Sequence, residues 1–139
     1  MREPARLPKV VVACTPESRP VLAEVLSGIA HAVMALSESD ALRSIGPDVR
    51  MLVCTLRFDD SRMLDFLAMA RERFADLPCV CCRVGKSKLP EGSLHAAFEV
   101  ARKLGAADVI DFAALELELG RNAAMDEFRA HLTARLTRH

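Results

Sequence analysis

Two hydrophobic rhythms alternate along the chain. Lys9–Cys14 (KVVVAC) is a short β-branched run without polar alternation, the pattern of a strand covered on both faces. The polar segment TPESRP turns the chain. Val21, Leu22, Val25, Leu26 and Ile29 then recur at helical spacing and predict an amphipathic helix. HAVMALS (31–37) is a second apolar run, and ESDALRSIG (38–46) reads as a short helix stopped by its glycine. VRMLVCTL (49–56) predicts a third strand. The helix after it carries Met63, Phe66, Leu67, Ala70 and Phe74 as one stripe, with Asp59, Asp60 or Ser61 available as the N-cap. PCVCCRV (78–84) is the fourth strand, and the polar loop GKSKLPEGS follows it. Leu94, Ala97, Phe98, Ala101 and Leu104 mark the fourth helix, which Gly105 ends. ADVIDF (107–112) is the fifth strand, and Met125, Phe128, Leu132 and Leu136 stripe the last helix.

Strands alternating with helices imply right-handed crossovers, hence a parallel sheet between two helical layers. The expected fold class is α/β with helices on both faces of five parallel strands, for which the flavodoxin-like order 2-1-3-4-5 is the economical choice. Residues 8–139 are expected to form this one domain, preceded by a flexible N-terminus over 1–7. Sites in such sheets lie beyond the carboxyl ends of the strands. That directs attention to Cys14–Glu17, Cys54–Asp60, Cys82–Lys88 and Asp111–Ala114.

With its strand–helix units in this order, the chain resembles a response-regulator receiver domain over about residues 8–139. PDVRMLVC looks like that family's proline-aspartate lead into the third strand, and ARKLGAADVIDF is similar to its helix-four end, Gly-Ala-Asp turn and fifth strand. The resemblance implies an acidic pair after strand one that holds Mg²⁺ and a phospho-accepting aspartate ending strand three. It also implies a Thr or Ser after strand four and a Lys after strand five, both on the phosphoryl oxygens. Phosphoryl transfer to a carboxylate needs such cations to absorb developing charge. Carried over by position, the acidic pair falls on Cys14 and Thr15, and the acceptor on Cys54, give or take one residue. The hydroxyl falls on Arg83, the lysine on Phe112, and the proline that should follow it on Ala113. Every one of these positions departs from the pattern. Glu17, Asp59 and Asp60 lie in the right loops for a weak displaced cation site, and Arg83 or Lys86 for an anion site. The simpler reading of Asp59 and Asp60 is that they cap helix three and complement its dipole.

Composition narrows the alternatives. The 139 residues are 51% hydrophobic with formal net charge +0, so no nucleic-acid backbone or anionic membrane is implied as partner. Six Phe, no Trp and no Tyr argue against a base-stacking surface. No apolar run approaches the roughly 20 residues that span a bilayer. MREPARLPK lacks the apolar core of a secretory signal, so a cytoplasmic location is expected, with reduced cysteines. Cys14, Cys54 and Cys82 end neighbouring strands and are candidates to converge as a redox or metal site; packing is the competing explanation. Cys79 and Cys81 should face opposite to Cys82, a poor chelate arrangement. His31, His95, His131 and His139 do not pair with them at ligand spacing, and His131 reads as decoration of the last helix. GKSK lacks the leading glycine of a phosphate loop.

The expectation is therefore a non-phosphorylatable pseudo-receiver, not an enzyme, without cofactor or metal. It would signal through a protein partner or a homodimer across the helix-four, strand-five, helix-five face, either alone or as a domain of a larger regulator. The alternatives are a thiol-based sensor built on Cys14, Cys54 and Cys82, and a flavodoxin-like small-anion binder at the strand ends.

Overall fold

The computed structural model describes residues 7–56, 62–85 and 90–137. Its strands are β1 (Lys9–Ala13), β2 (His31–Ala35), β3 (Val49–Thr55), β4 (Cys79–Arg83) and β5 (Asp108–Asp111). All pair in parallel, as the alternating rhythm implies, and in the expected order β2-β1-β3-β4-β5. The helices are α1 (Arg19–Leu26), α2 (Glu38–Ser44), α3 (Met63–Arg73), α4 (Glu91–Lys103), α5 (Phe112–Leu119) and α6 (Arg121–Thr137).

Successive strand residues feed opposite layers. Val10, Val12, Met51, Val53, Val80, Cys82 and Ile110 pack with Leu22, Val25 and Leu26 of α1 and with Phe128 and Leu132 of α6. Val11, Ala13, Leu52, Cys54, Cys79 and Cys81 pack with Ala41 of α2, Phe66, Leu67 and Ala70 of α3, and Leu94 and Ala101 of α4. Each fully buried Phe or Leu in these layers contributes about 1.5–3 kcal/mol through loss of contact with water. Phe98 is buried as well.

Several boundaries differ from the sequence reading for local reasons. The second strand stops at Ala35 because Ser37 leaves the sheet to cap α2, its Oγ accepting from the Asp40 N–H at 3.2 Å. Gly46 is not the stop of α2: the helix ends at Ser44 and Ile45 is already extended. Gly105 is a true stop, at φ 102°. The Ala106 N–H donates to Ala101 O and the Gly105 N–H to Arg102 O, both at 3.0 Å, a Schellman closure that only a residue tolerant of positive φ completes cheaply. Arg62 occupies the position before α3; Asp59, Asp60 and Ser61, the expected caps, lie outside the described residues. So does all of the expected flexible N-terminus except Leu7.

The largest difference is near the end. The fifth strand closes at Asp111, not Phe112, and the single last helix is two helices broken at Gly120, whose φ is 84°. Asp111 supplies the break at the strand end: its side chain accepts from the Ala114 N–H at 3.0 Å and starts α5 directly.

Candidate functional site

The carboxyl edge of the sheet is built by the residues at which β1, β3, β4 and β5 end. Cys14 follows β1 and is fully buried. Its N–H donates to Ala35 O at 3.0 Å, and its thiol lies 4.0 Å from the Met34 sulfur. Burial raises its pKa, against an opposing pull from Arg19 and from the Ala35 backbone contact. Thr15 and Ser18 close the following turn on each other, with their hydroxyl oxygens 2.9 Å apart. Glu17, at the tip of that turn, is exposed.

Cys54 is fully buried in β3 and stands in register with Cys81 of β4. The neighbouring Cys81 thiol, its register partner, and then burial push its pKa well up. Thr55, the next residue, reaches only a long 3.5 Å hydrogen bond to Ala13 O. On β4, burial pushes the Cys79 thiol up to about 12 and also raises Cys82 strongly. These thiols are held protonated, the opposite of the thiolate character a reactive cysteine needs.

The expected convergence of Cys14, Cys54 and Cys82 does not occur. Cys14 and Cys82 share the layer under α1 and α6, while Cys54 lies on the far side of the sheet with Cys79 and Cys81. The physical reason is strand parity: Cys54 pairs with Cys81, and Thr55 is the residue opposite Cys82. The opposed faces of Cys81 and Cys82 are as expected. Among the described residues, no group of three or more His, Cys, Asp or Glu side chains is arranged to hold a metal ion.

Arg83 and Asp111 end β4 and β5 and are register partners. The Arg83 Nε–H donates to Asp111 Oδ1 at 2.7 Å, and the side chains are only 19% and 30% exposed. The same Oδ1 accepts the Ala114 N–H that caps α5. Phe112 then turns into the core, fully buried, with its ring centroid 5.5 Å from that of Phe128. Arg121 lies 5.9 Å from the Phe112 centroid and ties α5 to α1 through Glu116 (3.1 Å) and Glu24 (2.9 Å). At this edge, then, Arg83 faces a carboxylate and Phe112 an aromatic core. Any anion would have to displace Asp111 from the guanidinium. Asp59, Asp60 and Lys86 lie outside the described residues.

Sequence reasoning missed two things here. Asp111 is a strand residue as expected, but its pairing with Arg83 is not anticipated, though two adjacent strands ending in opposite charges are an available signal. The helical spacing makes His131 decoration of the last helix, yet its Nδ1 is 2.9 Å from Asp108 Oδ2, with Arg135 3.9 Å from the same oxygen. That contact joins α6 to the start of β5, 23 residues apart in sequence, and no local pattern announces it.

No protein-family model matches the sequence, and no curated protein matches it significantly. Solved structures do match. The N-terminal signal receiver domain of a two-component system response regulator from Bacteroides fragilis is 14% identical, with TM-score 0.68 over 97% of this chain and 100% of that one. The non-phosphorylated HemR receiver domain from Leptospira biflexa is 21% identical, with TM-score 0.67 over 95% of this chain and 96% of the other. A response regulator from Thermotoga maritima is 17% identical, with TM-score 0.67 over 95% and 99%. At such low identity the likeness concerns architecture, and the architecture is unambiguous: this chain has the fold of a response-regulator receiver domain.

Proposed function

We propose that the chain is a receiver-like signalling module that works through protein contacts, without aspartyl phosphorylation and without catalysis. One observation carries the reading. The positions at which a receiver places its acidic pair, acceptor, hydroxyl and lysine hold Cys14 and Thr15, Cys54, Arg83 and Phe112. Of these, Cys14, Cys54 and Phe112 are fully buried, and Arg83 is engaged by Asp111. A buried thiol offers no carboxylate to phosphorylate, and a phenyl ring cannot neutralise a phosphoryl oxygen.

A surface remains available for contact. Among the described residues the large exposed apolar side chains are Leu7, Leu36, Met69, Val100, Leu117 and Leu119. Half of these lie on α4 and α5, which flank the edge strand β5. The partner is a second copy of the chain or another protein, docking on the face formed by α4, β5 and the C-terminal helices. No helix among the described residues is long and apolar enough to cross a membrane.

Incubation with acetyl phosphate, or with beryllofluoride and Mg²⁺, tests the phosphorylation claim. The expected outcome is unchanged intact mass and unchanged amide NMR spectra. A saturable, Mg²⁺-dependent adduct overturns the reading; loss of that adduct in Asp59→Asn or Asp60→Asn would then assign the acceptor to the third loop.

A further inference from the structure

We infer that the Arg83–Asp111 pair is an internal latch that fixes the pose of α5, a short helix with little packing of its own. The inference goes beyond the signalling reading and does not depend on association. Of the eight residues of α5, only Phe112 is buried. Leu115 packs partly against the core, while Leu117 is 91% exposed and Leu119 also faces solvent. An isolated helix of this length is not stable in water, so its position depends on what tethers its ends.

Apart from the buried ring of Phe112, the polar tethers at the two ends are unequal. At the tail, Gly120 permits the sharp exit at φ 84°, and Arg121 reaches Glu116 and Glu24 through ion pairs whose side chains are largely open to water. Such pairs are screened and hold little. At the head, Arg83 and Asp111 meet at 2.7 Å in a largely enclosed place, and Asp111 Oδ1 serves the guanidinium and the Ala114 N–H together. One carboxylate thus joins the end of β4 to the end of β5 and to the first turn of α5. Removing either charge leaves the other enclosed and unpaired. The least costly relief is loosening of α5 beyond Phe112, whose buried ring stays in the core against Phe128. The latch therefore keeps Leu117 and Leu119 in a fixed presentation while remaining separable from the core.

Hydrogen–deuterium exchange on the full chain, at a concentration low enough to exclude association, tests this. Two variants break the latch differently. Arg83→Met removes the cation. Asp111→Asn removes the anion but retains a side-chain oxygen for the Ala114 N–H, so it separates loss of the pair from loss of the cap. In both, amides of residues 113–119 should exchange faster by on the order of tenfold or more, with β1, β3 and β4 unchanged. Arg83→Lys should return most of the protection. Wild-type exchange across 113–119 in both variants overturns the latch. So does an equal rise through the core strands, which makes the pair a general stabiliser. If Arg83→Met does not fold, Asp111→Asn alone still gives one or other of these outcomes.

Discussion

Cys54 has no exposed surface and lies between β1 and β4, against Ala13 on one side and Cys81 on the other. It behaves as a small core residue. Cys54→Ala should therefore cost about 1 kcal/mol, the transfer and cavity terms for one sulfur. Cys54→Asp places a carboxylate where burial and a thiol are its only surroundings and should cost several kcal/mol. Urea denaturation of both variants reads the difference; equal stability of Cys54→Asp and wild type would mean the strand end is polar. The thiols also make alkaline pH a probe of folding. An exposed thiol ionises near 9, whereas Cys79 is held to about 12, chiefly by burial and then by Cys81, with Arg71 opposing. Below pH 9 both states keep the proton and stability is unaffected by this group. Between 9 and about 12 only the unfolded chain releases it, so stability falls as pH rises. The raised thiols of Cys14, Cys54 and Cys82 act in the same direction. The urea midpoint should be flat from pH 7 to 8.5 and decline beyond 9, less steeply in Cys79→Val. A midpoint independent of pH up to 10 would contradict this.

The elements show what local pattern can and cannot specify. The five strands were legible because each is a short apolar run between polar turns; chain direction and handedness imply a parallel sheet, while the order 2-1-3-4-5 was the economical choice among doubly wound orders rather than a consequence of them. The stripes of α1, α3, α4 and α6 were legible because 3.6-residue spacing survives any surrounding. The α5 segment was not, because ALELEL alternates with period two while Asp111 and Gly120 fix its ends as a helix. Parity at the strand ends was half legible: the opposed faces of Cys81 and Cys82 follow from one strand, but whether Cys54 faces with one or the other depends on register between strands. Gly105 illustrates an element boundary read correctly and open to test. A Cβ there would sit 2.9 Å from Arg71 Nε, at φ 102°. Arg71 is not free to withdraw, since its guanidinium donates to Ala75 O at 2.9 Å and Leu77 O at 3.2 Å. Gly105→Ala should destabilise by about 1–3 kcal/mol through backbone strain and this crowding. Arg71→Ala in the same background should recover only the crowding part. An unchanged thermal midpoint in Gly105→Ala would refute the assigned role of the closure.

At the scale of the whole molecule, the sheet's β5 edge carries charges that oppose uncontrolled pairing. It is four residues long, with Asp108 and Asp111 at its ends and His131, Arg135 and Arg83 gathered on them. Such charges discourage edge-to-edge strand addition. Association on this side of the molecule must therefore use helix surface, where Val100 of α4 and Leu117 of α5 stand exposed. A symmetric homodimer is the default outcome for one such patch, and a stable one buries on the order of 1,000 Å² or more. Leu117→Glu should abolish it, because the side chain is almost wholly exposed and its loss costs the monomer nothing in packing. Charge reversal at Arg102 or Glu127, both about half exposed on α4 and α6, should weaken it more mildly and change its dependence on salt. Sedimentation velocity at micromolar concentration decides the matter. The expected record is a concentration-dependent dimer in the wild type and a monomer in Leu117→Glu, with melting temperatures alike. A wild-type chain that sediments as a clean monomer, unaffected by any of the three changes, removes the homodimer and leaves a different protein as the occupant of this face.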